Sequence, residues 1–136
     1  MNEDYVSTKL ARKLQQKGYP LKKVYRQDGA PLFYDLPQDH PDWSQCDAWY
    51  LPTIWEVLKW LRKEKKIYVV PLICSDWSED ADGIICEEWL FWSYRVINVN
   101  DGRIVYDELD KIDNGNFEDY EQAALAGIEY VIDNLI

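Results

Sequence analysis

Histidine and methionine each occur once and cysteine three times, and these scarcities narrow what the chain can do. His40 is the single side chain available to a Ser–His or Cys–His nucleophilic pair. Its nearest cysteine, Cys46, lies in a proline-rich stretch that matches no known nucleophile–base arrangement. His40, Cys46, Cys74 and Cys86 reach the ligand count of a Cys₃His zinc site, but no pair has the short C-x₂₋₄-C spacing such sites use. An odd, widely spaced cysteine set in an unexported chain is expected to stay as reduced thiols. The opening residues, MNEDYVSTKL, carry neither a basic n-region nor an apolar h-region, so no signal peptide is expected. The longest apolar run, Ile67 to Cys74, is too short to span a bilayer. The expected compartment is therefore the cytoplasm, with no membrane partner. No internal repeat or low-complexity tract interrupts the chain.

Positive charge is also missing from most of the sequence. Residues 67–136 carry three Lys/Arg against sixteen Asp/Glu, and residues 27–58 carry six acids and no base. The bases concentrate in residues 1–26 and 59–66, and the formal net charge is −10. An acidic half of this kind repels phosphate backbones, so generic nucleic-acid binding is not expected. It attracts a basic partner surface instead. The basic residues of the two helices (Lys9, Arg12, Lys13 and Lys17; Lys59, Arg62 and Lys63) read as ordinary solvated faces.

No constellation for catalysis emerges from what remains. Asp76 with Glu79, Glu87 with Glu88, and Asp107 with Glu108 are the neighbouring carboxylates expected by chance among 25 acids. Asp80, Asp82 and Gly83 resemble the middle of a calcium loop, but its first and twelfth positions would fall on Ser78 and Trp89, where the pattern needs acidic ligands. That stretch reads as a solvated acidic turn. No cofactor, metal site or catalytic residue is expected.

What is abundant is aromatic. Seven Trp and ten Tyr exceed what one small core can hide, so some should reach the surface, where such residues dominate interfaces. The clearest local pattern is PTIWEVLKWLRKEKK followed directly by IYVVPLIC, a helix running into a strand. Thr53 and Glu56 have capping-box spacing. Ile54, Val57, Leu58 and Leu61 form one apolar helix face, widened by Trp55 and Trp60. Pro71 lacks a backbone donor, which puts its strand at a sheet edge or a bulge.

The rest of the chain supplies further elements. Ser7 caps a helix over 8–17 that ends at Gly18 and Pro20. Segments 22–26 and 32–36, joined by Asp28-Gly29, read as a short hairpin. Residues 37–52 read as a long ordered loop anchored by Trp43, Trp49 and Tyr50. Ser75 to Gly83 reads as an acidic turn region. Glu88 to Val99 is a strand returning through Asn100-Asp101-Gly102 to Arg103–Tyr106. Asp119 caps the last helix with Gln122 as its partner, and Tyr120, Ala123, Ala124, Gly127, Ile128, Val131 and Leu135 form its apolar face.

Two stretches also carry a resemblance. Pro52-Thr53 before the WLRKEKK helix, and Tyr120-Glu121-Gln122-Ala123-Ala124 opening the final helix, cover about a third of the chain together with their helices. With the order of elements, they resemble small uncharacterised proteins of bacterial phages and integrated mobile elements. The resemblance implies a small intracellular accessory protein and assigns no residue roles.

These readings predict one α+β domain over 1–136, with a small antiparallel sheet of three to five strands and three helices packed on one face. Ile54, Val57, Leu58, Leu61, Val69, Leu90, Trp92, Tyr94, Tyr120, Ala124, Ile128 and Val131 are expected in the core. The expected function is non-enzymatic: an interaction or accessory module for a protein partner or a second copy of itself. Its candidate contacts are Trp43, Trp49, Tyr50, Trp77 and Trp89. The alternative is a small-molecule or sugar-binding domain whose acidic aromatic pocket gathers Trp77, Trp89 and Trp92 beside Asp76 and Glu88. Thiol titration under denaturing, non-reducing conditions should find three free thiols per chain, and stoichiometric zinc in the purified protein would contradict this reading.

Overall fold

The computed structural model describes residues 5–23, 32–34, 48–108 and 117–136. Its elements run α1 (Thr8–Gln16), β1 (Leu32–Tyr34), β2 (Ala48–Tyr50), α2 (Ile54–Glu64), β3 (Ile67–Glu79), β4 (Ile85–Asn98), β5 (Ile104–Asp107) and α3 (Tyr120–Asn134). Among the described residues there are three helices, an antiparallel sheet ordered β3-β4-β5, and a separate β1-β2 pair. The fold is a small α+β arrangement. Its contacts gather into two compact units, Met1–Val57 and Leu58–Ile136.

In the first unit, α1 forms because both ends are satisfied locally. The Ser7 hydroxyl accepts from the Leu10 N–H at 3.1 Å. At the other end Gly18 adopts φ 94°, letting its N–H reach the Gln15 carbonyl at 3.1 Å and the Tyr19 N–H reach Leu14 at 3.0 Å. These two bonds are the paired closure of a Schellman end, which favours glycine at the left-handed position. Leu10, Ala11, Leu14 and Tyr19 are buried. The hairpin expected between segments 22–26 and 32–36 is not the observed pairing. β1 instead pairs antiparallel with β2, Phe33 opposite Trp49, and Lys23 bridges Trp49 from the other side. The stretch read as loop over 37–52 thus supplies a strand at Ala48–Tyr50, and the Asp28-Gly29 turn lies outside the described residues. Three residues are too few for periodicity to announce a strand.

The boundary between the units falls within α2. Thr53 caps the helix as expected, its Oγ1 accepting from the Glu56 N–H at 3.2 Å. The reciprocal half of the box differs: the Thr53 hydroxyl donates to Glu56 Oε1, while the Thr53 backbone bridges Tyr5. Ile54, Val57 and Leu61 are buried and Leu58 is half-buried. Trp55 does not widen that face, because it is 64% exposed. Lys66 takes φ 57°, the left-handed conformation a glycine would supply, and so turns helix directly into strand.

The second unit is built on a long hairpin. β3 and β4 pair from Ile67–Asn98 out to Glu79–Ile85. β3 therefore runs five residues beyond the Cys74 end expected of it, through Ser75, Asp76, Trp77, Ser78 and Glu79. Among the described residues β3 has no second strand neighbour, which accommodates Pro71 directly opposite Tyr94. β5 pairs only with the Arg95–Ile97 part of β4, where the Arg95 Nε donates to Asp107 at 3.0 Å.

α3 packs across β3 and β4. Asp119 caps it by accepting from the Gln122 N–H at 2.8 Å, and the Gln122 side chain accepts from Glu118 rather than from Asp119. Ala123, Ala124, Gly127, Ile128, Val131 and Ile132 are buried. A Cβ on Gly127 would lie 2.4 Å from a Val69 methyl and 3.1 Å from the Tyr94 ring, so the absent side chain is what lets the helix sit this close. Tyr106 stacks on Tyr130 at 3.8 Å, and its hydroxyl donates a short hydrogen bond to buried Glu108. Burial first, and that carboxylate second, hold the Tyr106 hydroxyl up at about 12. No helix among the described residues is long and apolar enough to cross a membrane.

Gly127→Ala should destabilise the protein by about 1–3 kcal/mol despite alanine's better helix propensity, because Val69 and Tyr94 must yield to the added methyl. The midpoint of urea unfolding is the measurement that checks it.

Candidate functional site

Helix and strand rise differently, and that difference creates the site. The 15 residues of α3 span about 22 Å, whereas the 13 residues of β3 span about 43 Å. The helix therefore covers only one part of the β3–β4 hairpin. Direct partners in an antiparallel ladder share a face, so the register defines the face under α3: Ile67, Val69, Pro71, Ile73, Ser75 and Trp77 of β3, with Val96, Tyr94, Trp92, Leu90 and Glu88 of β4. Along it Val69, Tyr94 and Val96 are buried. Trp92 is half-buried and meets Tyr120, the first residue of α3, edge to face at 5.6 Å. Beyond that point the same face opens to solvent: Ile73 is 59% exposed, Leu90 70% and Trp77 51%. Leu90 was expected in the core. It shares the apolar face of Tyr94 and Val96 but lies beyond the N-terminal end of α3.

The exposed end of the hairpin, referred to below as the ribbon, has a consistent chemistry. Ile84, Ile85 and Trp89 are exposed there as well. Interleaved with them are Asp76, Glu79, Asp80, Asp82, Glu87 and Glu88, and no base occurs between residues 76 and 88. The acidic turn is ordered by its own side chains. Asp80 accepts from the Asp82 and Ile84 N–H groups, both at 2.9 Å, and Gly83 takes φ 79°. The Asp80 carboxylate thus serves the turn, as expected of a solvated loop. Among the described residues no group of three or more His, Cys, Asp or Glu is placed to hold a metal ion.

The expected contact residues fall in different places. Trp43 lies outside the described residues. Trp49 and Tyr50 are half-buried in the first unit, and the Trp49 indole N–H is inside with no hydrogen-bond partner among the described residues. Trp77 and Trp89 both lie on the ribbon. Trp77 donates its indole N–H to Glu79 at 2.9 Å, which holds the ring along its strand. Trp77, Trp89, Asp76 and Glu88, four of the five residues expected in an acidic aromatic pocket, line one open cleft of about 610 Å³. Trp92 does not join them. Trp77 stands opposite Glu88 and Asp76 opposite Trp89, so the two indoles leave the ribbon on opposite faces. Cys74 is half-buried nearby, its thiol pushed up by burial and partly offset by Arg95.

Sequence reasoning missed Ile73, Ile85 and Leu90. Their signal was a length mismatch: the strand read at 88–99 has 12 residues, more than Ile67–Cys74 offers it, so its partner had to run further than the last helix could cover. Comparison with protein-family models, with curated proteins and with solved structures finds no match.

Because their side chains already meet water, Ile73→Lys and Leu90→Lys should each change stability by less than about 0.5 kcal/mol. Chemical denaturation of the two variants beside the parent checks this.

Proposed function

We propose that the protein is a non-enzymatic interaction module that docks through the ribbon onto a partner surface both basic and apolar. The observation that carries the reading is the exposure of Ile73, Trp77, Ile85 and Leu90 on one continuous sheet face, where every charged residue from 76 to 88 is an acid. Leaving a large apolar side chain in water forgoes about 1.5–3 kcal/mol that burial would supply. Several on one face are therefore suited to an interface core. The acids steer a positively charged partner and repel an identical ribbon, so a second copy docking ribbon to ribbon is disfavoured. A cytoplasmic setting and an accessory role beside phage or mobile-element proteins are part of this proposal and rest on the sequence.

A second reading, a small-molecule or sugar-binding domain, is favoured by one observation: Trp77, Trp89, Asp76 and Glu88 line the same cleft. Indole faces stack on sugar rings, but rings on opposite sides of a ribbon do not sandwich one ligand. Tryptophan fluorescence across a panel of mono- and disaccharides distinguishes the readings, and a saturable change abolished by Trp77→Ala would favour the second.

For the leading reading, a photo-crosslinking side chain placed at Leu90 should trap a partner in host extract through a Lys/Arg-rich segment. The yield should fall with added salt and be lost in Ile73→Lys. Crosslinks that are absent, indifferent to Ile73→Lys, or directed to acidic surfaces would overturn it, as would a dimer in light scattering that Leu90→Lys dissociates.

A further inference from the structure

The first unit contains a cavity that plays no part in the ribbon reading. Tyr5, Tyr19, Tyr50, Thr53, Glu56 and Lys22 border a space of about 230 Å³ that is open to solvent on one side. Its walls come from three stretches of chain: the segment before α1, the segment after α1, and the approach to α2 with its first turn. Backbone bonds tie these stretches together. The Val6 N–H donates to the Pro52 carbonyl at 3.0 Å, the Tyr50 N–H donates to Lys22 at 2.9 Å, and Tyr5 bridges Thr53. A site held by main-chain bonds loses little freedom when a ligand enters.

The chemistry of the walls is selective. Three tyrosines line it, and the electron-rich face of a phenol ring attracts a cation. The Glu56 carboxylate accepts from the Thr53 hydroxyl at 3.2 Å and lines the cavity. Its influence is visible on Tyr19, whose hydroxyl is pushed up to about 12 by burial first and by Glu56 second. Lys22 supplies the opposing charge; it is exposed, as Glu56 is, but its longer stem lets the ammonium turn away to water while Glu56 is held by Thr53.

We propose that this cavity binds a small methylated ammonium compound, with Tyr5, Tyr19 and Tyr50 around the cationic head and Glu56 as its counter-ion. A primary ammonium is strongly hydrated and needs several acceptors to replace its water, and the cavity offers one carboxylate. A methylated head carries its charge on an apolar surface and gives up less hydration against aromatic walls. The volume equals that of about seven or eight liquid waters, room for a compound the size of choline and too little for a drug-sized ligand.

The test uses choline chloride as the probe, followed by the ring signals of Tyr5, Tyr19 and Tyr50 in NMR spectra, with sodium chloride as the salt control. Choline should shift these signals saturably, and dimethylbutanol, its uncharged carbon isostere, should bind at least about tenfold more weakly. Glu56→Gln, which preserves a hydrogen-bond acceptor for Thr53, should weaken choline about five- to tenfold at unchanged helix content. Lys22→Met should strengthen it. Equal binding of choline and dimethylbutanol by the unaltered protein would overturn the proposal whether or not the variants fold. So would an affinity unchanged in folded Glu56→Gln, no shift at any choline concentration, or shifts confined to Trp77 and Trp89.

Discussion

The second unit depends on how closely α3 approaches the β3–β4 hairpin. Ala123, Ala124 and Gly127 give the helix a shallow surface, and the bare Cα of Gly127 receives Val69 and the Tyr94 ring. A small-residue stripe of this kind provides little apolar area of its own. It gains stability by letting larger neighbours, Ile128, Val131 and Ile132, bury fully against the sheet. The close seat also orders the aromatic side. Tyr94 stacks near Tyr106 and Tyr106 on Tyr130, and the Tyr94 and Tyr106 hydroxyls satisfy Glu108, a carboxylate that would otherwise be costly to bury.

The same seat decides what is left uncovered. A helix advances less than half as far per residue as a strand, so fifteen helical residues cannot shield a hairpin with arms of thirteen and fourteen. Trp92 on Tyr120 marks the limit of the cover. An exposed two-stranded ribbon with apolar side chains is an aggregation hazard, and this one carries two of the usual protections. Acids recur along it, and Pro71 removes a donor from the middle of the β3 edge. Both protections still admit a partner of opposite charge, which is why the ribbon suits selective docking better than indiscriminate association.

Local chemistry was legible wherever neighbouring residues settle it. The Ser7, Thr53 and Asp119 caps, the Gly18 helix end and the Asp80–Gly83 turn all bond within a few residues of themselves, so spacing was enough to read them. Partnership was less legible. Ala48–Tyr50 became a strand because β1 and Lys23 flank it, and nothing in DAWYLP announces that. The turn region assigned to Ser75–Gly83 began too early, its Ser75–Glu79 part being strand, for a related reason. Ser, Asp and Glu are weak strand formers, yet each extends a ladder that the β4 residues opposite already define. Of the residues named for contact, Trp77 and Trp89 fall on the ribbon, while Trp49 turns its indole N–H inward.

By itself the sequence determined the α+β class, the three helices and their caps, the pairing of the strands on either side of Asn100-Asp101-Gly102, an aromatic-rich chain and an acidic second half. Each of these rests on composition or on contacts a few residues apart. Only the tertiary structure decided that Leu90 faces water while Tyr94, on the same face of the same strand, is buried. Alternation assigns a residue to a face of the sheet. Whether that face is covered at a given position depends on where α3 begins, a long-range relation that a strand's own residues do not encode.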